Sequence, residues 1–247
     1  MCTLTYLPTE LGFLFTSNRD EIISRMPARF PHFLHQASKQ LLMPLDPQGG
    51  GTWILASDNG EAACLLNGAF EKHERKPPYR KSRGLVILES FRYADIANFM
   101  AHYDFDQIEP FTLVKVTQSP SQRQIHEIRW DGQIIHHRTA DPEQPQIWSS
   151  ATLYDEKMRA KRRQWFDEWL ANAPDFTMEN IRHFHLHGGV GDPTVDFRMT
   201  RSGGLQTISL TSIELGRQKV QVDYLNLRTH LRKKAVLELS HQEHNKA

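Results

Sequence analysis

Cysteine is scarce in this chain, with only Cys2 and Cys64 among 247 residues. Two cysteines cannot build the multi-bridge framework on which many small secreted domains depend. A secretory signal is also not visible, because the first seven residues carry no Lys or Arg and the opening apolar stretch ends at Pro8. We therefore expect a cytoplasmic protein whose cysteines are reduced.

A marked excess of charge of either sign is lacking too. Lys and Arg number 30 and Asp and Glu number 29, so the formal net charge is +1. This balance argues against a nucleic-acid or membrane-surface binder, which needs a basic face. No apolar run approaches the roughly 20 residues that span a bilayer. The expected partner is a small molecule, and the sequence leaves the oligomeric state open.

Internal repeats, low-complexity stretches and a convincing linker are absent, so we expect one domain over residues 1–247. From about residue 227 the chain is polar, and a helix is one alternative for this tail. Residues 18–51 contain four prolines and a Gly49-Gly50-Gly51 run, which predict a long irregular connection.

Short β-rich runs joined by turns dominate the remainder, with helices grouped in blocks. This order favours antiparallel sheets covered by helices, an α+β fold. The Asn59-Gly60 turn between two such runs is the clearest hairpin signal. The predicted strands are 2–7, 13–17, 52–57, 61–67, 111–117, 123–130, 133–139, 205–215 and 219–227, and the predicted helices are 84–100 (one or two), 154–173 and 177–186.

The position of Cys2 has a chemical consequence. Removal of Met1, which a small second side chain permits, would leave a thiol and a free α-amine on one residue. The amine has a reference pKa of about 7.7–8.0 and the thiol of about 8.5, so near neutral pH the amine can accept the thiol proton. One residue then supplies nucleophile and base, as in N-terminal nucleophilic catalysis. A small buried hydrophobe is the alternative interpretation of Cys2.

A polar cluster returns to Cys2 across the first predicted hairpin. The second strand ends in Asn18, Arg19, Asp20 and Glu21, which a regular register brings back beside residue 2. Asp20 could bind the α-ammonium, and Arg19 could bind a substrate carbonyl or carboxylate. A solvated loop is the alternative interpretation of this cluster.

Several motifs together resemble a known family. They are "MC" at the start, "SNRDE" at 17–21, "SR" at 24–25 and "GGGTW" at 49–53, with the following hairpin ending in Asn67. The stretches "WSSATL" and "MTRSGGLQTIS" are weaker matches. In their order and spacing these pieces resemble the NRDE family, also called the transport and Golgi organisation protein 2 family, which is similar to N-terminal-nucleophile hydrolases.

The resemblance implies a fold and a set of roles. The fold is a four-layer αββα sandwich of two mostly antiparallel sheets between helices. Cys2 would be the nucleophile, Asp20 the partner of its amine, and Asn67 an oxyanion donor. Arg19, Ser150 and Arg201 complete the expected catalytic set, and Asn18 and Trp53 are expected to bind substrate. The family's acylase relatives carry the arginine three residues before the aspartate and an asparagine where Ser150 stands.

Other candidate sites have weaker support. Three alternating histidines, His183, His185 and His187, would share a face on a strand and diverge on a helix, and no carboxylate or cysteine completes a metal set. The triple glycine lacks the Lys-Ser/Thr of a P-loop, so we expect a conformational role for it. We expect no metal and no cofactor.

Two functions remain open at this stage. The first is a cysteine amidohydrolase that cleaves a non-peptide amide bond through a thioester. The second is a non-enzymatic binding or trafficking protein for a hydrophobic, acyl or haem-like ligand. The combination of Cys2, Arg19 and Asp20 favours the first, and Ser150 in place of asparagine keeps the second open.

Overall fold

The computed structural model describes residues 3–119, 121–172 and 174–240, and Cys2 therefore lies outside the described residues. Within these ranges the strands form two antiparallel sheets. The six-stranded sheet has the order β10-β1-β2-β11-β12-β13, and the seven-stranded sheet has the order β3-β4-β5-β6-β7-β8-β9. The strands are β1 Thr3–Thr9, β2 Gly12–Ile22, β3 Arg29–Gln36, β4 Lys39–Leu45, β5 Ile54–Ser57, β6 Glu61–Asn67, β7 Phe111–Gln118, β8 Arg123–Trp130, β9 Ile135–Ala140, β10 Gln146–Ser149, β11 Leu205–Leu215, β12 Lys219–Asn226 and β13 Arg232–Glu238.

Helices cover the outer face of each sheet. The seven-stranded sheet carries α1 (Arg83–Glu89) and α2 (Ile96–His102), which a short 3₁₀ turn connects. The six-stranded sheet carries α3 (Glu156–Ala171) and α4 (Met178–His187). The predicted four-layer αββα architecture is confirmed. None of the helices in the described ranges is long and apolar enough to cross a membrane.

The largest apolar core lies between the two sheets. It joins Phe13 and Phe15 of β2 to Ile54 of β5 and to Cys64 of β6, all fully buried. Their neighbours on the same strands point outward, because successive side chains of a strand alternate between the two faces of its sheet. Leu14, for example, packs against α3 and α4. Alternation thus builds the central core and an outer core from the same strands.

The predicted hairpins whose turns are local in sequence are confirmed. Strands β1 and β2 pair from Thr3 with Asn18 to Thr9 with Gly12. Strands β5 and β6 are joined at the predicted Asn-Gly turn, where Gly60 has a φ of +81°. A positive φ of this kind is accessible to glycine at little steric cost.

Two predictions for irregular or helical segments are wrong. Residues 18–51 contain the end of β2 and the hairpin of β3 and β4. Pro31 lies in β3, which is an edge strand with an irregular register, and proline is tolerated there because its missing N–H leaves no ladder bond broken. In the tail, Arg232–Glu238 forms the edge strand β13 and not a helix, and residues 241–247 lie outside the described residues. Lysines on such an edge strand discourage pairing with other chains.

The triple glycine allows two backbones to meet. A Cβ placed on Gly51 would lie 2.1 Å from the carbonyl oxygen of Gly84 at the start of α1. Gly50 has a φ of +69°, and a Cβ there would meet nothing within 4 Å. The conformational role expected for these glycines is therefore a close approach to α1 at Gly51 and a left-handed turn at Gly50.

Substituting these two glycines should separate the two effects. We expect Gly51→Ala to destabilise the fold by about 2–3 kcal/mol because the methyl group overlaps backbone that cannot move independently. Gly50→Ala should cost about 1 kcal/mol, since it only strains the turn. Chemical denaturation of both variants measures this difference. Equal losses in the free energy of unfolding would contradict the close-approach explanation.

Candidate functional site

A cavity of about 780 Å³ lies where β2 and β6 end and α1 begins. Four of the residues predicted from the sequence line it, namely Arg19, Asp20, Trp53 and Asn67. Nine of its 24 lining residues carry charged side chains. Its cations are Arg19, Arg25, Arg75, Lys81 and Arg83, and its carboxylates are Asp20, Glu21, Asp46 and Glu109. The cavity therefore suits a polar ligand better than a wholly apolar one.

Arg19 is held rigidly on one wall. Its side chain is only 4% exposed, and its Nη2 donates to Asp46 Oδ2 at 2.9 Å. The guanidinium carbon lies 4.5 Å from the centre of the Trp53 ring, a cation–π distance. Burial lowers the pKa of Arg19, and this effect exceeds the opposing influence of Asp46 and Glu21. Asp46 and Glu21 therefore do not fully compensate the hydration that the Arg19 guanidinium loses on burial.

Asp46 is the anchor for this cation. Its Oδ2 also accepts from Arg25 Nη2 at 2.7 Å, and its Oδ1 accepts from the backbone N–H groups of Gln48 and Gly49 at 3.1 and 3.3 Å. Burial would raise the pKa of Asp46, but the two arginines and the backbone donor keep it below its usual value. The loop before the triple glycine therefore supplies a carboxylate that the sequence analysis did not identify.

Asp20 is fixed by two hydroxyl groups. Tyr154 Oη donates to Asp20 Oδ2 at 2.8 Å, and Thr207 Oγ1 donates to Asp20 Oδ1 at 2.5 Å. Thr207 lies opposite Asp20 on β11, and the register shifts between Thr207 and Ser209, so that Ser209 lies opposite Arg19. β-Bulges of this kind often occur beside active sites, where they redirect side chains. Tyr154 and Thr207 are partners that the sequence analysis missed.

Asn67 ends β6 at the cavity, and the segment after β10 packs on its backbone. Ser150 Oγ donates to the Asn67 carbonyl at 2.8 Å, and Ser150 itself is fully buried and does not line the cavity. Thr152 does line the cavity, and its Oγ1 is buried without a hydrogen-bond partner among the described residues. The hydroxyl-bearing residue of this segment that lines the cavity is therefore Thr152, two residues beyond the predicted position.

Asn18 lies outside the cavity because it precedes Arg19 on an extended strand and so faces the other side of the sheet. Its Nδ2 donates to the carbonyls of His185 and Phe197 at 3.1 and 2.7 Å. Its Oδ1 must then accept from His185 Nδ1, 2.5 Å away, which leaves His185 Nε2 to accept from the Thr5 hydroxyl at 2.8 Å. The structure places Asn18 in a buried polar network between β2 and α4.

Arg201 also lies away from the cavity lining. Its Nη1 donates to the Leu153 carbonyl at 3.2 Å, and its guanidinium carbon is 5.3 Å from the centre of the Tyr154 ring. Arg162, fully buried on α3, lies 4.0 Å from the same ring. These two cations support the tyrosine that bonds to Asp20. Arg201 thus contacts the candidate site through Tyr154.

A second carboxylate of the cavity, Glu109, is also surrounded by basic side chains. Glu109 lies 3.2 Å from each of three groups: His73 Nε2, Arg75 Nε and Arg83 Nη2. Arg83 also donates to the Pro110 carbonyl at 3.1 Å, and burial lowers its pKa. The basic loop before α1 therefore contributes to the cavity.

The three alternating histidines lie on helix α4, where His185 diverges from the other two. His185 is fully buried, whereas His183 and His187 are exposed with ring centres 4.6 Å apart. Among residues 3–119, 121–172 and 174–240, no three His, Cys, Asp or Glu side chains are grouped as metal ligands.

Comparison with known families assigns the chain. A family model described as "Transport and Golgi organisation 2" matches residues 1–185. The chain belongs to this family. The comparison with curated protein sequences finds no match.

Solved structures share the fold at low sequence identity. A conjugated bile acid hydrolase variant from Clostridium perfringens has a TM-score of 0.59 and 10% identity, with 99% of this chain and 100% of that chain covered. An ortholog of N-acylethanolamine-hydrolyzing acid amidase from Caenorhabditis elegans has a TM-score of 0.56 and 9% identity, with coverages of 86% and 92%. Both are N-terminal-nucleophile hydrolases, and the chain has their fold.

The buried network around Asn18 predicts a pH dependence of stability. Burial, reinforced by Arg162 and Arg182, lowers the pKa of His185 to about 3. The unfolded imidazole, with a reference pKa of about 6.5, binds a proton as the pH falls while the folded one stays neutral. The stabilisation is complete above pH 6.5 and is lost towards pH 3, so His185 should lower the free energy of unfolding by about 2 kcal/mol between pH 7 and 5.

Denaturant unfolding at these two pH values measures the loss. His185→Gln should reduce the pH dependence, and the matched control His183→Gln, on the exposed face of the same helix, should leave it unchanged. In NMR spectra the His185 ring should not titrate above pH 4.5. A His185 ring that titrates near pH 6 would show the assignment to be wrong.

Proposed function

We propose that this protein is an N-terminal-cysteine amidohydrolase acting on a small-molecule amide. The observation that carries the proposal is the register at the start of β1. Thr3, which follows Cys2 in the sequence, pairs with Asn18, which precedes the cavity-lining Arg19 and Asp20; Cys2 itself lies outside the described residues. Fold similarity to two amide hydrolases supports the same chemistry.

The proposed reaction begins after removal of Met1. The α-amine of Cys2 accepts the thiol proton, and the thiolate attacks the amide carbonyl carbon. The C–N bond of the tetrahedral intermediate then breaks, and the departing nitrogen takes up the proton. Water hydrolyses the resulting thioester, which releases the acid and restores the thiol. No step of this sequence consumes an oxidant or a metal.

Asp20 is assigned to the α-ammonium of Cys2. Its two carboxylate oxygens already accept from Tyr154 and Thr207, which fix its orientation. A carboxylate held in this way can bind a cationic amine without reorganisation, which favours the geometry needed for proton transfer. Asp20→Asn should impair turnover because the neutral amide lacks the charge.

Stabilisation of the oxyanion is assigned to the end of β6 and the segment that packs against it. Asn67 lines the cavity there, and the Thr152 hydroxyl is a second donor with no other partner among the described residues. Ser150 supports Asn67 through its backbone carbonyl. The missing second asparagine of the acylase pattern is thereby replaced in this proposal by a threonine.

A binding or trafficking protein for a hydrophobic, acyl or haem-like ligand remains the competing hypothesis, and the charged groups of the cavity do not favour a wholly apolar ligand. Thiol reactivity separates the two. At pH 7, iodoacetamide should label Cys2 far faster than Cys64, because burial raises the pKa of Cys64 to about 12. Peptide mass spectrometry after timed labelling gives both rates.

Turnover is tested on a panel of N-acyl amides. Cys2→Ala should lose at least about 10³-fold in kcat, as nucleophile variants do, and the control Cys64→Ala should keep its rate. Intact mass should show that Met1 is absent and that an acyl group accumulates on Cys2 with slow substrates. Retention of Met1 in the native host would exclude the mechanism. Full activity in Cys2→Ala would identify another nucleophile.

The oxyanion assignment is tested with two hydroxyl deletions. Thr152→Val should lower kcat by about 10²-fold with little change in KM, since it removes one donor to the transition state. Ser150→Ala should mainly lower the free energy of unfolding, by about 1 kcal/mol, because its bond goes to a carbonyl. A larger loss of kcat in Ser150→Ala than in Thr152→Val would restore the oxyanion role to Ser150.

A further inference from the structure

The wall that carries Arg19 holds two buried hydrogen-bond donors without acceptors. Arg19 Nη1 and Trp53 Nε1 are buried, and neither has a partner among the described residues. Both side chains are more than nine-tenths buried and line the cavity. Buried donors are nearly always satisfied in folded proteins, because each one left unpaired costs about 1–3 kcal/mol. Two such donors side by side indicate a ligand that supplies the acceptors.

The two donors are held in one arrangement. The Arg19 guanidinium is tethered through Nη2 to Asp46 and lies over the Trp53 ring, with its central carbon 4.5 Å from the ring centre. Trp53 in turn packs against Tyr224 of β12, with ring centres 6.4 Å apart. Neither side chain needs to be ordered when a ligand binds, which favours binding because no rotamer entropy is lost.

Neighbouring carboxylates do not satisfy these donors. Asp46 already accepts four hydrogen bonds, and both oxygens of Asp20 have hydroxyl partners. Glu21 Oε2 is 3.8 Å from Arg19 Nη2, beyond hydrogen-bond distance, and Glu21 Oε1 accepts from the N–H of Ile22. The groups of this wall that lack a hydrogen-bond partner among the described residues are therefore donors, and one of them belongs to a cation.

We propose that Arg19 Nη1 and Trp53 Nε1 form a subsite for a carboxylate carried by the substrate, so that the enzyme acts on amides with a free carboxylate. This assignment of a substrate class rests on the proposed hydrolase function. A carboxylate offers two acceptor oxygens in a plane, which suits a guanidinium edge and an indole N–H. Its negative charge also compensates a buried guanidinium that is incompletely neutralised by its neighbours.

The carboxylate could lie on either side of the scissile bond. N-octanoylglycine carries it on the amine part, and succinic acid mono-octylamide carries it on the acyl part. Each is compared with its own methyl ester, which keeps the amide and the alkyl chain but removes the charge. Equilibrium binding to Cys2→Ala is measured by calorimetry, so that the result does not depend on turnover.

At least one of the two carboxylates should bind about tenfold or more tightly than its ester, as expected for hydrogen bonds to a charged group. Trp53→Phe keeps the ring beneath Arg19 but removes the N–H, and it should reduce the preference for the carboxylate several-fold without changing affinity for the ester. Arg19→Lys keeps the charge but loses the planar edge, and it should also reduce the preference. The matched control is Arg75→Gln, an exposed cation of the same cavity that pairs with Glu109, which should change the preference less than twofold.

Each result has a defined meaning. Equal affinity for acid and ester in both pairs would overturn the proposed subsite. A preference for the carboxylate that is lost in Arg75→Gln but retained in Trp53→Phe and Arg19→Lys would also overturn it. If Trp53→Phe does not fold, as judged by its melting transition, the test of the subsite is the carboxylate preference measured with Arg19→Lys. A carboxylate preference without any turnover in the wild type would retain the subsite and reject the hydrolase. If acids and esters are turned over with equal kcat/KM and bind with equal affinity, the hydrolase function is retained and the carboxylate subsite is rejected.

Discussion

The register of β2 between β1 and β11 determines the candidate site. Three consecutive residues of this strand lie in three different environments. Asn18 faces the helices, and Arg19 forms part of the cavity wall. Asp20 accepts hydrogen bonds from the hydroxyls of Tyr154 and Thr207. A slip of one residue would exchange the first two and bury a guanidinium against α4. The irregularity in β11 lies opposite Arg19 and Asp20, the two residues of this stretch of β2 that line the cavity.

The register is secured on both sides by groups that tolerate little change. On the helix side, the Asn18 amide bonds to the His185 ring and to two backbone carbonyls, which uses both of its N–H donors and its oxygen. On the cavity side, Arg19 is tethered to Asp46, whose loop closes through the Asp46–Gly51 bridge. Polar networks of this kind specify one arrangement, because a half-satisfied alternative leaves donors or acceptors buried without partners.

Sequence reasoning found the parts of the site that are local in the chain. The first hairpin and the Asn-Gly hairpin follow from alternation and turn chemistry, and they deliver Arg19, Asp20 and Asn67 to the cavity. It could not find Tyr154 and Thr207, since they meet Asp20 from 134 and 187 residues away, and no local pattern encodes such a pairing. Prolines in β3 and β4 concealed a hairpin, because proline is tolerated in an edge strand such as β3 and beside a register shift such as the one next to Pro44 in β4.

The same long-range packing explains the difference between Ser150 and Thr152. A motif match fixes a functional position only to within a few residues, here two. The backbone path after β10 decides which of the two hydroxyl-bearing residues bonds to a carbonyl and which lines the cavity. Ser150 is used to hold the end of β6, and that bond places Asn67 and Thr152 beside each other, with the Thr152 N–H 3.4 Å from the Asn67 carbonyl. The cavity lining then includes two groups of donors, Thr152 near Asn67 and the Arg19–Trp53 pair. A molecule that satisfies both must carry two separate acceptor groups, and an amide with a second carbonyl-type group at a distance meets that requirement.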